Sequence, residues 1–244
     1  MDVPASAPHA LSTSREELRA AMSAINTVIM GKSEIVDLVM TACVAGGHVL
    51  IEDIPGVGKS TLAKSFARVI GGTFHRVQFT SDLLPADLLG TNMWKASSET
   101  FEFKRGPLFA NIVLADEVNR APPRTQSALL EAMSEFQISV DGASISLPEP
   151  FTVIATQNPL EHHGTYPLPE SQKDRFMVRT QIGYADAATE ASLIAGSSPP
   201  DVHSITQTLS LDALVRARSE SREVFVHEDI AAFVRTFVAA TRNH

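Results

Sequence analysis

The segment Asp53–Thr61 reads D-I-P-G-V-G-K-S-T and follows the short apolar run His48–Glu52. A strand, a glycine-rich loop and a helix in that order can hold a phosphate. Gly56 and Gly58 let the backbone turn tightly enough for successive N–H groups to face an anion, and the helix N-terminus adds its dipole. Lys59 can reach β- and γ-phosphates, and the Ser60 hydroxyl can ligate Mg²⁺. Pro55, Val57 and Thr61 complete the cradle. The strict pattern G-x-x-x-x-G-K-[ST] fails at its first glycine, where Asp53 stands. A carboxylate there is compatible with phosphate only if it is turned away at the strand's end. The plain alternative is a glycine-rich turn ahead of an ordinary helix.

Two further segments weigh against that alternative. Asn111–Arg120, N-I-V-L-A-D-E-V-N-R, is an apolar strand ending in two adjacent acids. Asp116 suits Mg²⁺, held mostly through water, and Glu117 is placed to polarise a water for in-line attack on a γ-phosphate. An acidic pair after a strand is also a common helix cap, but not one expected by chance downstream of a phosphate loop. Ala155–Pro159, A-T-Q-N-P, ends the next strand candidate, with Asn158 as a polar sensor near the attacking water. By itself Asn158 reads as an Asn-Pro turn. Together the three segments describe phosphoryl transfer to water.

The rest of the chain must position those groups. With 244 residues, 44% of them hydrophobic, it can bury one large domain and a smaller piece. No apolar run approaches a membrane span, and the N-terminus lacks a signal-peptide pattern. Cys43 is the only cysteine, which excludes an internal disulfide and fits a reducing, cytoplasmic setting. A net charge of -8 without a Lys/Arg cluster argues against nucleic acid. Residues 1–13 are expected to be mobile, with a helix opening at a Ser14/Glu17 capping box and a second over Ser33–Ala45. His75–Phe79, Asn111–Ala115, Phe151–Thr156 and Phe176–Ile182 join His48–Glu52 as strands separated by helices or long connections. That rhythm predicts an α/β fold with a parallel, doubly wound sheet. Residues 91–110 and 137–147 read as hairpin insertions, the second around an Asp141-Gly142 turn. Beyond the core at 14–185, residues 186–244 read as helical. Ser210 caps one helix there, and Ile230, Phe233, Val234, Phe237 and Val238 stripe another.

The stretches GGHVLIEDIPGVGKST, RVQFTSDLLPADLLGT, GPLFANIVLADEVNRAPPRTQSALLEAMSE, FTVIATQNP and GTYPLPESQKDRF resemble the MoxR family of AAA+ ATPases over roughly Gly31–Tyr184. The resemblance implies a P-loop NTPase αβα sandwich with sheet order 5-1-4-3-2, a helical lid, ATP and Mg²⁺ as cofactors, and a ring, usually a hexamer. It implies that Gly31, with Ile29 and Met30, frames the adenine. Arg175 matches the arginine finger that reaches a neighbour's γ-phosphate; Arg120 and Arg179 are weaker rivals, and a surface pairing of Arg175 with Asp174 or Glu170 is the bland account. The two insertions are similar to the helix-2 insert and the pre-sensor-1 hairpin, with client contacts expected there. Asp53 is a tolerated variation in the family. In relatives a segment like Val238–Arg242 precedes a Gly-x-Ser-x-Arg stretch carrying a sensor-2 arginine; the chain stops at His244, so a lid cut short is expected.

The function implied is an ATP-driven chaperone that remodels or matures client complexes, with metal insertion as one form of it. A von Willebrand factor A domain protein is a frequent partner, and the client is unnamed. Alternatives are a DNA-handling motor, which predicts a basic pore loop, and a nucleotide switch with little hydrolysis, which intact Lys59, Asp116 and Glu117 oppose. His162 and His163 lack companions for a tetrahedral metal site. Trp94, Phe101 and Phe103 read as packing or partner contact rather than a base-stacking platform.

Overall fold

The computed structural model describes residues 8–160, 164–185, 187–196 and 198–242. Helices α1 (Pro8–Val28) and α2 (Ser33–Ala45) lead into strand β1 (Val49–Glu52), then α3 (Lys59–Val69) and β2 (Phe74–Gln78). A short α4 (Pro85–Leu89) opens the hairpin β3 (Gly90–Lys95) and β4 (Thr100–Arg105). Strand β5 (Ile112–Asp116) and a 3₁₀ turn at Val118–Arg120 precede α5 (Pro123–Glu135), the hairpin β6 (Gln137–Val140) and β7 (Ala143–Ser146), and β8 (Thr152–Gln157). The chain continues through α6 (Glu170–Lys173), β9 (Val178–Thr180), α7 (Ala187–Ile194), α8 (Leu211–Arg222) and α9 (Glu228–Arg242).

Five of these strands form one sheet in the order β2-β5-β8-β1-β9, every pairing parallel. Counted among themselves, and read from β9, they run 5-1-4-3-2. All of β1, β5 and β8 is buried, as parallel strands covered on both faces must be. Alternate side chains go to opposite faces. Val49, Ile51, Leu114 and Ile154 pack with α1, α2, α3 and α8, while Leu50, Val113, Ala115 and Val153 pack with α4 and α5. This is the αβα sandwich. Phe66, Phe79 and Phe151 are among its fully buried side chains, each contributing about 2–3 kcal/mol.

The amino ends of the strands are pinned by neutral hydrogen bonds. His48 accepts from the Val153 amide at Nδ1 (3.0 Å) and so donates from Nε2 to the Met133 carbonyl (2.9 Å). Asn111 accepts from Thr73 N and Oγ1 (3.0 Å each) and donates to the Pro150 carbonyl (2.9 Å).

Both insertions are hairpins. Trp94 and Phe101 face each other across β3–β4 with ring centroids 5.2 Å apart, and both are exposed, whereas Phe103 packs inward on Phe109. Asp141 and Gly142 turn β6 into β7 with φ of 50° and 80°, the pair of positive angles a two-residue type I′ turn requires. Asn92 Nδ2 donates to Asp141 Oδ2 (2.6 Å), tying one hairpin to the other.

Several expected boundaries shift. Helix α1 starts at Pro8, so Ser14 lies inside it and is buried instead of capping; proline is well suited to a first helical turn. The fifth strand is only Val178–Thr180, an edge with β1 as its single neighbour. Ser210 does cap α8, accepting from Ala213 N (3.1 Å). Leu209, Ala213 and Leu214 share the core of α1–α3, so the helical segment after residue 185 is partly merged with the sandwich. The stripe on α9 faces solvent, with Phe233 71% and Phe237 64% exposed. No described helix is long and apolar enough to cross a membrane.

Candidate active site

At their carboxyl ends β1, β2, β5 and β8 finish on Glu52, Gln78, Asp116 and Gln157. Four polar residues thus rim the edge where open α/β sheets bind ligands, and the strand order reverses at β1. The loop after β1 wraps into α3. Gly56 and Gly58 both have φ +91°, and a Cβ on either would meet nothing within 4 Å. Their lack of a side chain therefore serves the left-handed backbone and leaves the space before them open. The first turn of α3 carries no acid and no side-chain cap, so its N–H groups and dipole are free for an anion.

Asp53 is turned away from that space. Its Oδ1 accepts from Ile54 N (2.9 Å), and its Oδ2 from Ile182 N (2.7 Å) and Gly183 N (2.6 Å). The non-glycine residue thus staples the loop to the segment after β9. Lys59 is buried and spans the loop, donating from Nζ to the carbonyls of Asp53 (2.8 Å) and Ile54 (3.2 Å).

Across the loop, Thr156 positions both acids. Its hydroxyl donates to Asp116 Oδ1 (2.5 Å) and accepts from the Glu117 amide (2.9 Å). Glu117 sits at φ 58°, ψ 50°, a left-handed conformation costing a non-glycine residue about 1–3 kcal/mol. Its carboxylate accepts from Gln78 Nε2 (2.7 Å) and pairs with Arg120 (3.1 Å). Arg76 pairs with Asp116 (2.7 Å).

One groove joins these groups. A cavity of ≈ 320 Å³ is lined by Lys59, Ser60, Arg76, Gln78, Asp116 and Glu117 among others. A second, of ≈ 460 Å³, is lined by Val28, Ile29, Met30, Val57, Ile182 and Tyr184. Pro55, Gly56, Gly58 and Thr61 line both. The first half holds charges of both signs; the second is mostly apolar and the right size for a base. Gly31, with φ 71°, lies between Met30 and Lys32 of the apolar half. The oxygens of Ser60 and Asp116 facing one cavity are a hard donor set that fits Mg²⁺.

Residues 48–178 match the family described as ATPase family associated with various cellular activities (AAA). The chain is 41% identical over 243 residues to the chaperone MoxR1 of Mycobacterium tuberculosis, covering 99% of this chain and 64% of that protein. It is 42% identical over 229 residues to YeaC of Bacillus subtilis, covering 93% and 71%. The chain belongs to the MoxR family of AAA+ ATPases. A crystal structure from Cytophaga hutchinsonii superposes with a TM-score of 0.84 at 35% identity, covering 95% of this chain and 71% of the other. The chain thus spans a little under two thirds of the length of the Mycobacterium relative.

In this family member the structure brings Pro55, Gly56, Val57, Gly58, Lys59, Ser60, Thr61, Asp116 and Glu117 to one groove. It does not bring Asn158 or Arg175 there. Asn158 accepts from Leu160 N (3.1 Å), the Asn-Pro turn geometry, and is not among the lining residues. Arg175 donates to the Leu130 carbonyl (2.9 Å) and to Ser134 Oγ at the end of α5, where helix carbonyls favour a cation. It pairs with neither Asp174 nor Glu170. Arg120 is held by Glu117, and Arg179 by Glu52. His162 and His163 lie outside the described residues, and among those described no cluster of His, Cys, Asp or Glu could hold a metal by itself. Sequence reasoning missed Arg76, Gln78 and Thr156. The signal for the first two was the alternation in R-V-Q-F, which puts Arg76 and Gln78 on the face opposite buried Val77 and Phe79.

Proposed function

We propose that the groove binds ATP with Mg²⁺ and hydrolyses it, and that turnover drives a MoxR-type chaperone that remodels or matures client protein complexes, metal insertion being one such task. The convergence of Lys59, Ser60, Asp116 and Glu117 on one cavity at the sheet's carboxyl edge carries this reading. Gly31, Ile29 and Met30 frame the adenine, and the loop amides with Lys59 hold the phosphates. Ser60 and Asp116 would hold Mg²⁺, which when bound would neutralise charge developing on the phosphate oxygens. Glu117 orients and deprotonates the attacking water. Asn158 serves as sensor after leaving its local turn, and Arg175 swings from α5 to a neighbour's γ-phosphate in a hexameric ring. Residues 14–185 act as the catalytic core, with 186–244 as a partial helical lid.

The β3–β4 hairpin, which carries Trp94 and Phe101, offers apolar surface for a client or for a von Willebrand factor A domain partner. The β3–β4 hairpin is poorly suited to DNA: of its three basic residues Lys95 pairs with Glu102 (2.8 Å) and Arg105 lies over the Phe109 ring, leaving Lys104. The acidic chain and buried Cys43 suit a cytoplasmic setting. Glu117→Gln tests the assignment: ATP-induced thermal stabilisation should persist while phosphate release stops, and undiminished release removes Glu117 as the base. Mixing Arg175→Ala with Glu117→Gln subunits should restore turnover; mixed rings without activity would refute action across the interface.

A further inference from the structure

Both oxygens of Asp116 are engaged. Oδ1 accepts from the Thr156 hydroxyl on the sheet side. Oδ2, on the other edge, accepts from Arg76 twice, from Nε at 3.1 Å and Nη2 at 2.7 Å. Arg76 and Asp116 line the same polar cavity as Lys59 and Ser60. The acid's side chain is 11% exposed and the arginine's 49%, so the guanidinium reaches in from solvent to a largely desolvated carboxylate.

Backbone geometry sets this posture. In the parallel register Arg76 lies beside Leu114 and Gln78 beside Asp116, so the long arginine side chain runs along β2 toward the strand end. Gln78 Oε1 accepts from Arg76 Nη2 (2.9 Å) and steadies it there. A guanidinium and a divalent cation need the same carboxylate lone pairs. With Nε and Nη2 of Arg76 on its two lone pairs, Oδ2 is closed to the cation and to any water the cation carries until Arg76 moves.

We propose that Arg76 is a placeholder cation on Asp116: it neutralises the acid and must leave Oδ2 before a divalent metal is held there. This rests on the assignment of Asp116 to the metal and adds the group that competes for it. Bare metal then binds poorly, because displacing Arg76 strands a guanidinium beside a second cation. A triphosphate in the same cavity offers Arg76 a replacement anion, so metal and nucleotide enter together. The sequence D-E alone describes an acid waiting for metal; the structure describes one already paired.

Mn²⁺ is the probe, titrated into nucleotide-free protein and followed by the spin-resonance signal of the free ion. Arg76→Gln keeps a polar side chain but removes the charge, and should tighten Mn²⁺ about tenfold, the worth of one charge-assisted competitor. A merely structural Arg76 predicts the opposite, since a disturbed site binds metal worse. Adding Asp116→Asn to Arg76→Gln should abolish the gain. Equal affinity in wild type and Arg76→Gln, including undetectable binding in both, overturns the proposal, as does a gain that survives Asp116→Asn. Loss of ATP turnover in Asp116→Asn with no Mn²⁺ gain in Arg76→Gln rejects the placeholder and leaves the ATPase reading standing. A gain in a protein that never hydrolyses ATP supports the placeholder and rejects the ATPase reading.

Discussion

At the carboxyl ends of β1, β2, β5 and β8 stand Glu52, Gln78, Asp116 and Gln157, while the same strands begin beside His48, Thr73, Asn111 and Thr152. The amino end is closed, its side chains bonded to neutral partners. Asn111 and His48 have each polar atom committed to a partner, and Arg218 is folded onto the Cys43 carbonyl (2.8 Å) and Thr152 Oγ1 (3.3 Å). The carboxyl end is ionic and exchangeable. Its acids are held by Arg76, Arg120 and Arg179, whose side chains are 40–57% exposed. Neutral bonds in a dry setting are costly to break, whereas half-solvated ion pairs are cheap to exchange. One sheet therefore carries closed bonds at one end and exchangeable ion pairs at the other.

The largest effect should come from the reactive end alone. Glu117→Gln is expected to slow steady-state phosphate release by about 10²–10⁴-fold, the usual worth of a general base, with the urea midpoint unchanged. A lowered midpoint would mean that the two ends are not separable. Asn111→Ala should do the converse, leaving Thr73 N and the Pro150 carbonyl unpaired. It should cost about 3 kcal/mol in urea unfolding, with turnover per folded molecule preserved.

Acid should also act at the closed end. Burial pushes the His48 imidazole down from 6.5 to about 4, and the nearby Arg218 charge adds to this. Between those values the unfolded chain binds the proton that the folded one refuses. Stability is complete above pH 6.5 and falls as pH drops toward 4, by about 3 kcal/mol. His48→Gln should flatten that part of a urea-midpoint profile, and an unchanged slope would assign it to other groups. The smallest effect is the sharpest. Asp53→Gly restores the strict phosphate-loop pattern yet removes the acceptor for Ile54, Ile182 and Gly183 amides. It should lose about 2 kcal/mol of stability without tightening ATP, as measured by calorimetric titration.

Much of this division was legible in the residues. The apolar runs that lead into Asp53 and into Asp116 and Glu117 mark the carboxyl edge, and the glycine spacing with Lys59 marks the loop. Asp53 was readable as turned away, although its three amide partners were not. Pairings across strands escaped, because alternation says which face Arg76 and Gln78 occupy but not that β5 lies alongside. Asn158 and Arg175 illustrate a different gap. Motif position indicates a role, while the geometry seen here satisfies each side chain locally, on Leu160 N and on the end of α5. The apolar stripe of α9 was correctly seen as amphipathic; periodicity carries no information about whether a neighbour covers it.

The hydrogen bond between Asn92 and Asp141 has a mechanical meaning. The β6–β7 hairpin is rooted between α5, which follows the Glu117 turn, and β8, which ends beside Thr156. The β3–β4 hairpin has its own roots on α4. Joined at Asn92 and Asp141, the two form a braced frame rather than two free arms. Displacing the Trp94–Phe101 hairpin therefore also pulls on Asp141, at the turn of the hairpin that joins α5 to β8.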